Sequence, residues 1–329
     1  MKGKAMSSGL KSNMVILYLT GLMLLLSNGC QEERRGVDLY LDAIMFRELD
    51  QNEMAIEKLN EAIKLDKQFL PAYSMLGEIY SDNNDYEKSA AAYEKATQIS
   101  IWSFQDYYNL GRAYQGMKNF DQASKAYARA CELKSDHLEA HINAARCFYE
   151  VEDYTKALMF GQLAEQIDPN AIKVQMLLAD IFQAQNDYDG IIDSLEHALQ
   201  IDGNNPDIMT PLALAYLKTE QYEPAKQLFI LITQNQTDNG TAYQQLGYCY
   251  LKLGDIDYAV ESYNKALKIN NKDWQLHKNL GTAYMLKAAK DKDQMMRLKA
   301  IQHWKMSLAI EPDQPNWEAL LKLIEKYSK

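Results

Sequence analysis

Residues 104–137 read FQDYYNLGRAYQGMKNFDQASKAYARACELKSDH, and the pattern in this 34-residue stretch decides the fold. Gly111 is followed three residues later by the aromatic Tyr114 and sixteen residues after that by Ala130. The same spacing recurs eight times at a 34-residue interval, with no slip between the first copy and the last. A fixed period of this length predicts an array of helical repeats. The small residues are Ala43, Gly77, Gly111, Ala145, Ala179, Ala213, Gly247 and Gly281, and the aromatic residues are Phe46, Tyr80, Tyr114, Phe148, Phe182, Tyr216, Tyr250 and Tyr284.

Each repeat is predicted to contain two helices. Positions 4, 7, 8 and 11 of the repeat fall on one side of a 3.6-residue helix, which predicts helix A. A break follows in which Asn or Asp precedes an aromatic residue, as at Asn119 before Phe120, and this is the pattern of a helix N-cap. Helix B then carries small, bulky and small residues at positions 20, 24 and 27, as in Ala123, Tyr127 and Ala130. Such a pair cannot bury its apolar face alone, so neighbouring repeats must stack.

These positions resemble the consensus of the tetratricopeptide repeat (TPR) family, which has the same residue types at 8, 11, 20, 24 and 27 and Pro at 32. Pro169 and Pro312 stand at that last position. The resemblance covers residues 36 to about 312. It implies an all-α fold, a right-handed superhelix of about eight helix-turn-helix repeats. It also implies that helix A lines a concave groove that holds peptides or partner proteins, and that the protein is not an enzyme.

The repeats are predicted to start at residues 36, 70, 104, 138, 172, 206, 240 and 274. Seven extra residues between Tyr284 and Ala300 are predicted to lengthen both helices of the eighth repeat around a tip at 290–294. Residues 313–329 are predicted to form a capping helix, because a terminal repeat otherwise exposes its apolar face. The apolar residues of this helix are Leu320, Leu321, Leu323 and Ile324.

Residues 1–29 resemble an export signal. Three lysines precede an apolar run over 14–26, which is too short for a span of about twenty residues. The stretch that ends in Gly29 and Cys30 resembles a bacterial lipobox, so Cys30 is predicted to be the lipidated first residue of the mature protein. An uncleaved signal anchor and ordinary secretory cleavage are the alternatives.

Residues 30–35 are predicted to be the lipidated cysteine and a short tether. Gln31 follows the cysteine, and by the lipoprotein sorting pattern this favours the periplasmic side of the outer membrane in a diderm bacterium. The tether through Val37 would reach roughly 20 Å if extended. The first repeat is therefore expected close to the membrane.

Charge disfavours nucleic acid as a partner. The chain has 35 Lys and Arg against 45 Asp and Glu, a net charge of −10, and the predicted mature part has 32 against 45. An acidic protein neither releases counterions from phosphates nor adheres broadly to anionic lipid. The predicted contacts are therefore a protein or peptide segment in the groove and the membrane through the lipid anchor, with no small-molecule substrate.

The sequence predicts no cofactor, no metal and no catalytic residue. His137 and His141 are four residues apart, but Glu does not directly follow the first histidine as a zincin motif requires. An enzyme would need acidic or histidine residues clustered towards the groove. Cys131, Cys147 and Cys249 are an odd number of helical cysteines and are interpreted as small buried residues, with one bridge between Cys131 and Cys147 left open.

Helix A positions 2, 5, 6, 9, 12 and 13 are expected to face the groove. In repeats 3 and 4, two Asn and two Arg stand one repeat apart, and they are predicted to hold a peptide backbone or a carboxylate. The alternative is a solvated surface in which Glu150 and Asp180 neutralise the arginines. The residues at these positions are Tyr108, Asn109, Arg112, Gln115, Ile142, Asn143, Arg146 and Tyr149.

In repeats 6 to 8 the corresponding positions are mostly apolar, which predicts a second contact surface for a partner. The alternative is that the superhelix closes or that the C-terminal helix folds over them. The residues are Leu214, Leu217, Tyr248, Leu251, Thr282, Met285 and Leu286.

The sequence therefore predicts a non-catalytic binding scaffold, anchored to the membrane and acting in the assembly of an envelope complex. Lipid anchor and repeat array together resemble pilus and secretin pilot lipoproteins and outer-membrane assembly lipoproteins. The alternative is an adaptor lipoprotein that recruits or regulates an envelope hydrolase or protease.

Overall fold

The computed structural model describes residues 31–328, with side chains from residue 34 onward. All regular secondary structure in that range is α-helical, and 17 helices follow one another. They are α1 Gln31–Glu48, α2 Asn52–Leu65, α3 Leu70–Asp82, α4 Tyr86–Ile99, α5 Phe104–Gly116, α6 Phe120–Leu133, α7 Leu138–Glu150, α8 Tyr154–Ile167, α9 Ile172–Gln185, α10 Tyr188–Ile201, α11 Pro206–Lys218, α12 Tyr222–Asn235, α13 Gly240–Leu253, α14 Ile256–Ile269, α15 Trp274–Asp291, α16 Gln294–Ile310 and α17 Trp317–Tyr327.

The helices form eight antiparallel pairs followed by one further helix, as the repeat pattern predicted. Odd-numbered helices from α1 to α15 are the A helices and even-numbered helices are the B helices, and the two helices of each pair pack against each other. The chain divides into two compact units, the first ending at Ile167 and the second beginning at Asp168. The first unit therefore holds α1–α8 and the second holds α9–α17.

The contact between positions 8 and 24 forms the centre of a repeat. A Cβ atom on Gly111 would lie 2.7 Å from the ring of Tyr127, and one on Gly77 would lie 2.7 Å from the ring of Tyr93. Both tyrosines are fully buried. The aromatic ring of helix B thus lies directly on the backbone of helix A, which is why position 8 is small.

The turn between helices A and B also repeats. In seven repeats the residue at position 15 has a left-handed backbone, with φ between 57° and 86°. Four of these residues are Asp50, Asn84, Asn186 and Gly254, types that adopt this conformation most readily. The side chains of Asn119 and Asp187 then cap the following B helices by accepting a backbone N–H.

The first helix begins earlier than expected. The structure places residues 31–35 in α1 rather than in an extended tether. Five helical residues rise only about 7–8 Å, so the distance from residue 31 to the first repeat is much shorter than an extended chain would allow. The signal sequence, the apolar run over 14–26 and Cys30 lie outside the described residues. Among the described helices, none is long and apolar enough to cross a membrane.

The last repeat and the C-terminal helix differ from the others. The inserted residues lengthen α15 and α16 to 18 and 17 residues. In α17, Leu320 and Ile324 are buried, whereas Leu321 and Leu323 are 39% and 37% exposed. The expectation that all four cover the last repeat was wrong for these two, because the buried face of α17 runs through Leu320 and Ile324 and the other two leucines lie beside it.

Candidate binding surfaces

The first surface is the helix A side of repeats 3 and 4, where two arginines are exposed. Arg112 on α5 and Arg146 on α7 occupy position 9 of successive repeats. Within residues 31–167 neither guanidinium group makes an ion pair or a hydrogen bond, so the alternative of neutralisation by Glu150 is not seen there. We call Arg112 and Arg146 the Arg pair.

A polar cavity of about 370 Å³ lies beside Arg112. Asp82, from the preceding repeat, contributes a carboxylate to it, but this carboxylate is already 3.4 Å from the guanidinium of Arg47. Gly116 and Tyr86 also line the cavity, and the Tyr86 ring lies on the Gly116 backbone, where a Cβ would be 2.7 Å from the ring. Arg112 is therefore accessible from solvent and borders space large enough for a side chain of a partner.

Two buried tyrosines lie beneath Arg112 and form hydrogen bonds to helix A. The amide of Asn109 donates to the Tyr93 hydroxyl at 3.1 Å, and the Tyr127 hydroxyl donates to Gln115 Oε1 at 2.8 Å. Burial raises the pKa of both tyrosines, and the positive charge of Arg112 acts in the opposite direction. Asn109 is only 8% exposed, so the expectation that it faces the groove was wrong: position 6 packs against the preceding repeat.

The remaining residues of this surface are partly engaged. Asn143 is half-buried, and its amide lies 3.4 Å from the Tyr108 hydroxyl. The ring of Tyr108 lies 5.3 Å from that of His137 and 5.5 Å from that of Tyr127. Ile142 is 2% exposed and belongs to the core. Among the predicted residues, the Arg pair is thus the part that points freely into solvent.

The second surface, on repeats 6 to 8, is less open than expected. Leu214 and Leu286 are exposed at 43% and 44%. Leu217, Leu251 and Met285 are half-buried and pack against hydrophobic clusters that include residues of neighbouring repeats. The expectation of a continuous exposed apolar surface was therefore wrong, because position 12 reaches the neighbouring helices.

The C-terminal helix covers one end of this second surface, as the alternative interpretation expected. Met285 packs against the cluster formed by α16 and α17. Tyr248 is half-buried and lies edge-on to Tyr222, with 6.1 Å between the ring centroids. The ammonium of Lys252 lies 5.4 Å from the Tyr222 ring and 5.5 Å from the Tyr248 ring. The ring of Tyr248 is thus already in contact with the Lys252 ammonium group of the same helix.

A buried hydroxyl beneath the second surface has no partner. The Tyr263 hydroxyl makes no hydrogen bond among residues 31–328, although the ring is fully buried. Leu251 stands at the repeat position where Gln115 accepts from Tyr127 in the first unit. An unpaired buried hydroxyl costs about 1–3 kcal/mol.

A histidine pair in the eighth repeat was not predicted. His277 Nδ1 and His303 Nδ1 are 2.9 Å apart, and His277 Nε2 lies 3.2 Å from the carbonyl of Asn271. Because a carbonyl can only accept, the Nε2–H of His277 donates to Asn271. In a neutral imidazole the other nitrogen then accepts, so Nδ1–H of His303 donates to Nδ1 of His277. Burial, followed by the charges of His277 and Lys299, lowers the pKa of His303 to about 4. No spacing rule could reveal this pair, because the insertion lies between its members.

The other histidines and the cysteines have structural roles. His137 caps α7, with Nδ1 accepting from the Ala140 N–H at 3.1 Å. Within residues 31–328, no three His, Cys, Asp or Glu side chains are grouped to hold a metal ion. Cys131, Cys147 and Cys249 are free and buried, so the bridge left open between the first two is not formed. Burial raises the pKa of each thiol to about 12.

Comparison with known families identifies the fold. Four family models, all described as tetratricopeptide repeat, match residues 70–100, 108–172, 182–247 and 241–273. The chain belongs to the TPR family. TPR proteins are generally scaffolds rather than catalysts. A comparison with curated proteins found no match.

Solved TPR structures are similar to this chain. YrrB, described as a TPR protein with an unusual peptide-binding site, is 21% identical with a TM-score of 0.52, and the match covers 62% of this chain and 98% of YrrB. The C-terminal part of a TPR repeat-containing protein from Cytophaga hutchinsonii is 16% identical with a TM-score of 0.57, over 74% and 98%. The Naa15/Naa10 complex bound to HypK is 18% identical with a TM-score of 0.59, over 88% and 44%. At these identities the likeness shows the fold alone.

Proposed function

We propose that this TPR protein is a membrane-anchored scaffold whose Arg pair holds a carboxylate-bearing segment of a partner protein. The observation that carries the proposal is that Arg112 and Arg146 are exposed and have no ion-pair partner among the described residues of the first unit. The whole chain has 45 acidic residues against 35 basic ones, so acidic side chains are plentiful. The positive charges of Arg112 and Arg146, at the same position of successive repeats, are therefore available to an anion of a partner.

The chemistry of the pair favours a carboxylate over other anions. A guanidinium group binds a carboxylate through two parallel hydrogen bonds, which fixes orientation as well as charge. Gln115 lies half-exposed at position 12 of the repeat that carries Arg112, and its amide can pair with a peptide backbone. The peptide-binding site named for YrrB supports a peptide as the ligand. An acidic extended segment is the ligand that fits both features.

The first experiment measures binding of a defined acidic peptide. A fluorescein-labelled peptide of alternating Glu and Ala is titrated with wild type and with Arg112→Gln plus Arg146→Gln, and anisotropy reports Kd. Loss of two charge-assisted contacts should weaken binding by roughly a hundredfold. Because neither arginine has a structural partner, the melting temperature should stay unchanged.

Two controls make this measurement decisive. Arg297→Gln removes another exposed arginine, in the eighth repeat, and should leave Kd unchanged. A peptide with Gln in place of Glu should bind weakly to every variant. Equal binding of the acidic peptide by wild type and by the double variant would remove the Arg pair from the site.

We also propose that Cys30 carries the lipid and that the scaffold acts in assembling an envelope complex. The sequence from Leu26 to Cys30 supports the anchor, and the start of α1 at Gln31 would place the first repeat close to the bilayer. The alternative role is an adaptor for an envelope hydrolase or protease. Crosslinking in native membranes, with and without the Arg pair, would identify which class of protein is lost from the variant.

The anchor has its own test. Cys30→Ala should move the protein from the membrane fraction to the soluble fraction, because the acidic surface offers little attraction to anionic lipid. Cys131→Ala is the matched control, since that thiol is buried in α6, and should not change the distribution. A signal-cleaved Cys30→Ala protein that stays with the membrane would contradict a lipid anchor.

A further inference from the structure

A cleft on the helix B side of repeats 3 and 4 lies apart from the Arg pair. Its volume is about 450 Å³, within the range of ligand pockets, roughly 300–1,000 Å³. α6 forms one wall and α8 the other, while the end of α7 contributes to the floor. The side chains that the argument uses are Lys125, Ala128, Arg129, Phe148, Lys156 and Phe160.

The cleft arises from two residues that depart from their neighbours. At three other junctions the side chain at position 25 lies against the tyrosine hydroxyl at position 11 of the next repeat, as in the pairs Glu94 with Tyr114 and Glu196 with Tyr216. Between repeats 3 and 4 these positions hold Ala128 and Phe148. A methyl group cannot span the distance that a glutamate fills, and a phenyl ring offers no hydroxyl, so the space stays open.

The floor of the cleft is aromatic. The rings of Phe148 and Phe160 are stacked at 5.4 Å with 11° between their planes. The apolar rim is exposed, with Met159 at 47% and Val151 at 37%. Such a floor accepts an aromatic or aliphatic side chain, because rings stack well and the rim adds apolar area.

The charged rim of the cleft is electrically balanced. Three ion pairs surround it, each within one helix or its cap: Lys125 with Asp121 at 2.7 Å, Lys156 with Asp153 at 2.8 Å and Arg129 with Glu132 at 2.5 Å. Exposed pairs of this kind contribute little to stability and can exchange partners. This region is neutral on a chain with a net charge of −10.

An exposed tryptophan borders the same cleft. Trp102, in the connection between α4 and α5, is 74% exposed, and Ile101 beside it is 50% exposed. Arg129 joins them to the cleft: its guanidinium lies 5.6 Å from the Trp102 ring and donates to the Ile101 carbonyl at 3.2 Å. Trp102 and the cleft therefore belong to one face.

We propose that this face binds a second copy of the chain, with Trp102 of each copy inserted into the Phe148 and Phe160 cleft of the other. A two-fold contact brings the same face of both copies together. Trp102 of each copy then faces the aromatic cleft of the other, so the same contact forms twice. A neutral rim with both signs of charge is complementary to itself, whereas other acidic regions of two copies repel. A buried tryptophan is the kind of residue that dominates binding energy.

The test measures the mass of the full chain in mild detergent by light scattering across a dilution series. Wild type should be a dimer that dissociates on dilution. Trp102→Ala should raise the dissociation constant by roughly tenfold or more. Trp317→Ala, which removes a tryptophan 40% exposed on α17, is the matched control and should leave the dimer intact.

A second variant fills the cleft with a pair that the protein already uses. Ala128→Glu with Phe148→Tyr recreates the contact of Glu94 with Tyr114 and should abolish the dimer while circular dichroism shows the same helix content. If this variant does not fold, Trp102→Ala decides the question alone. A monomeric wild type at every concentration, a dimer unaffected by Trp102→Ala, or an assembly larger than a dimer would overturn the proposal.

Discussion

Tyr127 in the first unit and Tyr263 in the second occupy the same repeat position but differ in their hydrogen bonding. Each ring lies on a glycine, Gly111 or Gly247, where a Cβ would be 2.7 or 2.8 Å away. The Tyr127 hydroxyl donates to Gln115 at 2.8 Å, whereas the Tyr263 hydroxyl has no partner among the described residues. Packing thus sets the position of the ring, and a single helix A residue decides whether its polar atom is satisfied.

The difference extends to the surface above each ring. In the first unit, a hydrogen-bonded polar layer lies beneath the exposed Arg112. In the second, Leu251 and Met285 are half-buried over the corresponding layer. The same repeat therefore supports a polar surface in one unit and an apolar, half-buried one in the other. Positions 9 and 12 of helix A vary while the repeat fold is kept, because the ring on its glycine is retained.

The shared contact should give the largest effect. Gly111→Val and Gly247→Val each force a side chain into an aromatic ring, and each should lower the free energy of unfolding by about 3 kcal/mol. Unfolding of repeat arrays is not strictly two-state, so hydrogen exchange should be followed separately in α5–α6 and α13–α14. Gly203→Ala is the control, because the nearest atom to its Cβ is the Leu199 carbonyl oxygen at 3.6 Å. Equal protection in wild type and both valine variants would refute the close contact.

A pH effect confined to the second unit should be smaller. The pKa of His303 is about 4 in the fold, below the unfolded value of about 6.5. The fold therefore favours neutral His303, and the stability this provides is present above about pH 6.5 and is lost as pH falls towards 4. The loss should amount to about 2 kcal/mol, since His303 is only partly exposed.

His303→Gln tests this pH effect. It should flatten the dependence of hydrogen exchange in α15 and α16 between about pH 7 and about pH 5, because the variant lacks the imidazole whose pKa differs between the folded and the unfolded chain. Peptides from α5 and α6 serve as the internal control and should respond identically in wild type and variant. An unchanged slope in α15 and α16 would show that His303 does not bind protons differently on folding.

The smallest effect tests the hydroxyl directly and should differ in sign between the units. Tyr127→Phe removes a satisfied hydrogen bond and leaves Gln115 without its donor, so it should destabilise by about 1 kcal/mol. Tyr263→Phe removes an unpaired hydroxyl and should be neutral or stabilising by up to about 1 kcal/mol. The melting temperatures of both variants and of wild type, measured in the same buffer, give this comparison. Destabilisation by Tyr263→Phe equal to that by Tyr127→Phe would mean that Tyr263 has a partner.

The period of the sequence was enough to predict the helix pairs and the eight repeats. It could not predict that Asn109 is buried or that Leu217 packs inward, because positions 6 and 12 meet residues of the adjacent repeat. It could not predict the contact of His277 with His303, since the insertion breaks the period between them. The cleft was hidden for a similar reason: Ala128 and Phe148 each look ordinary, and only their juxtaposition opens the space.

The sequence by itself determined the all-α repeat fold, because small and bulky residues at a constant spacing leave one way to pack two helices and stack the pairs. It also determined the acidic character, with 45 acidic residues against 35 basic ones. Only the tertiary structure decided which polar groups stay free, since that depends on the reach of side chains across repeats. Arg112 and Arg146 make no ion pair with the described residues of the first unit, whereas the Asn109 amide lies 3.1 Å from the Tyr93 hydroxyl. The repeat period therefore determines how the helices pack, whereas the three-dimensional hydrogen-bond geometry determines which polar side chains are available to a partner.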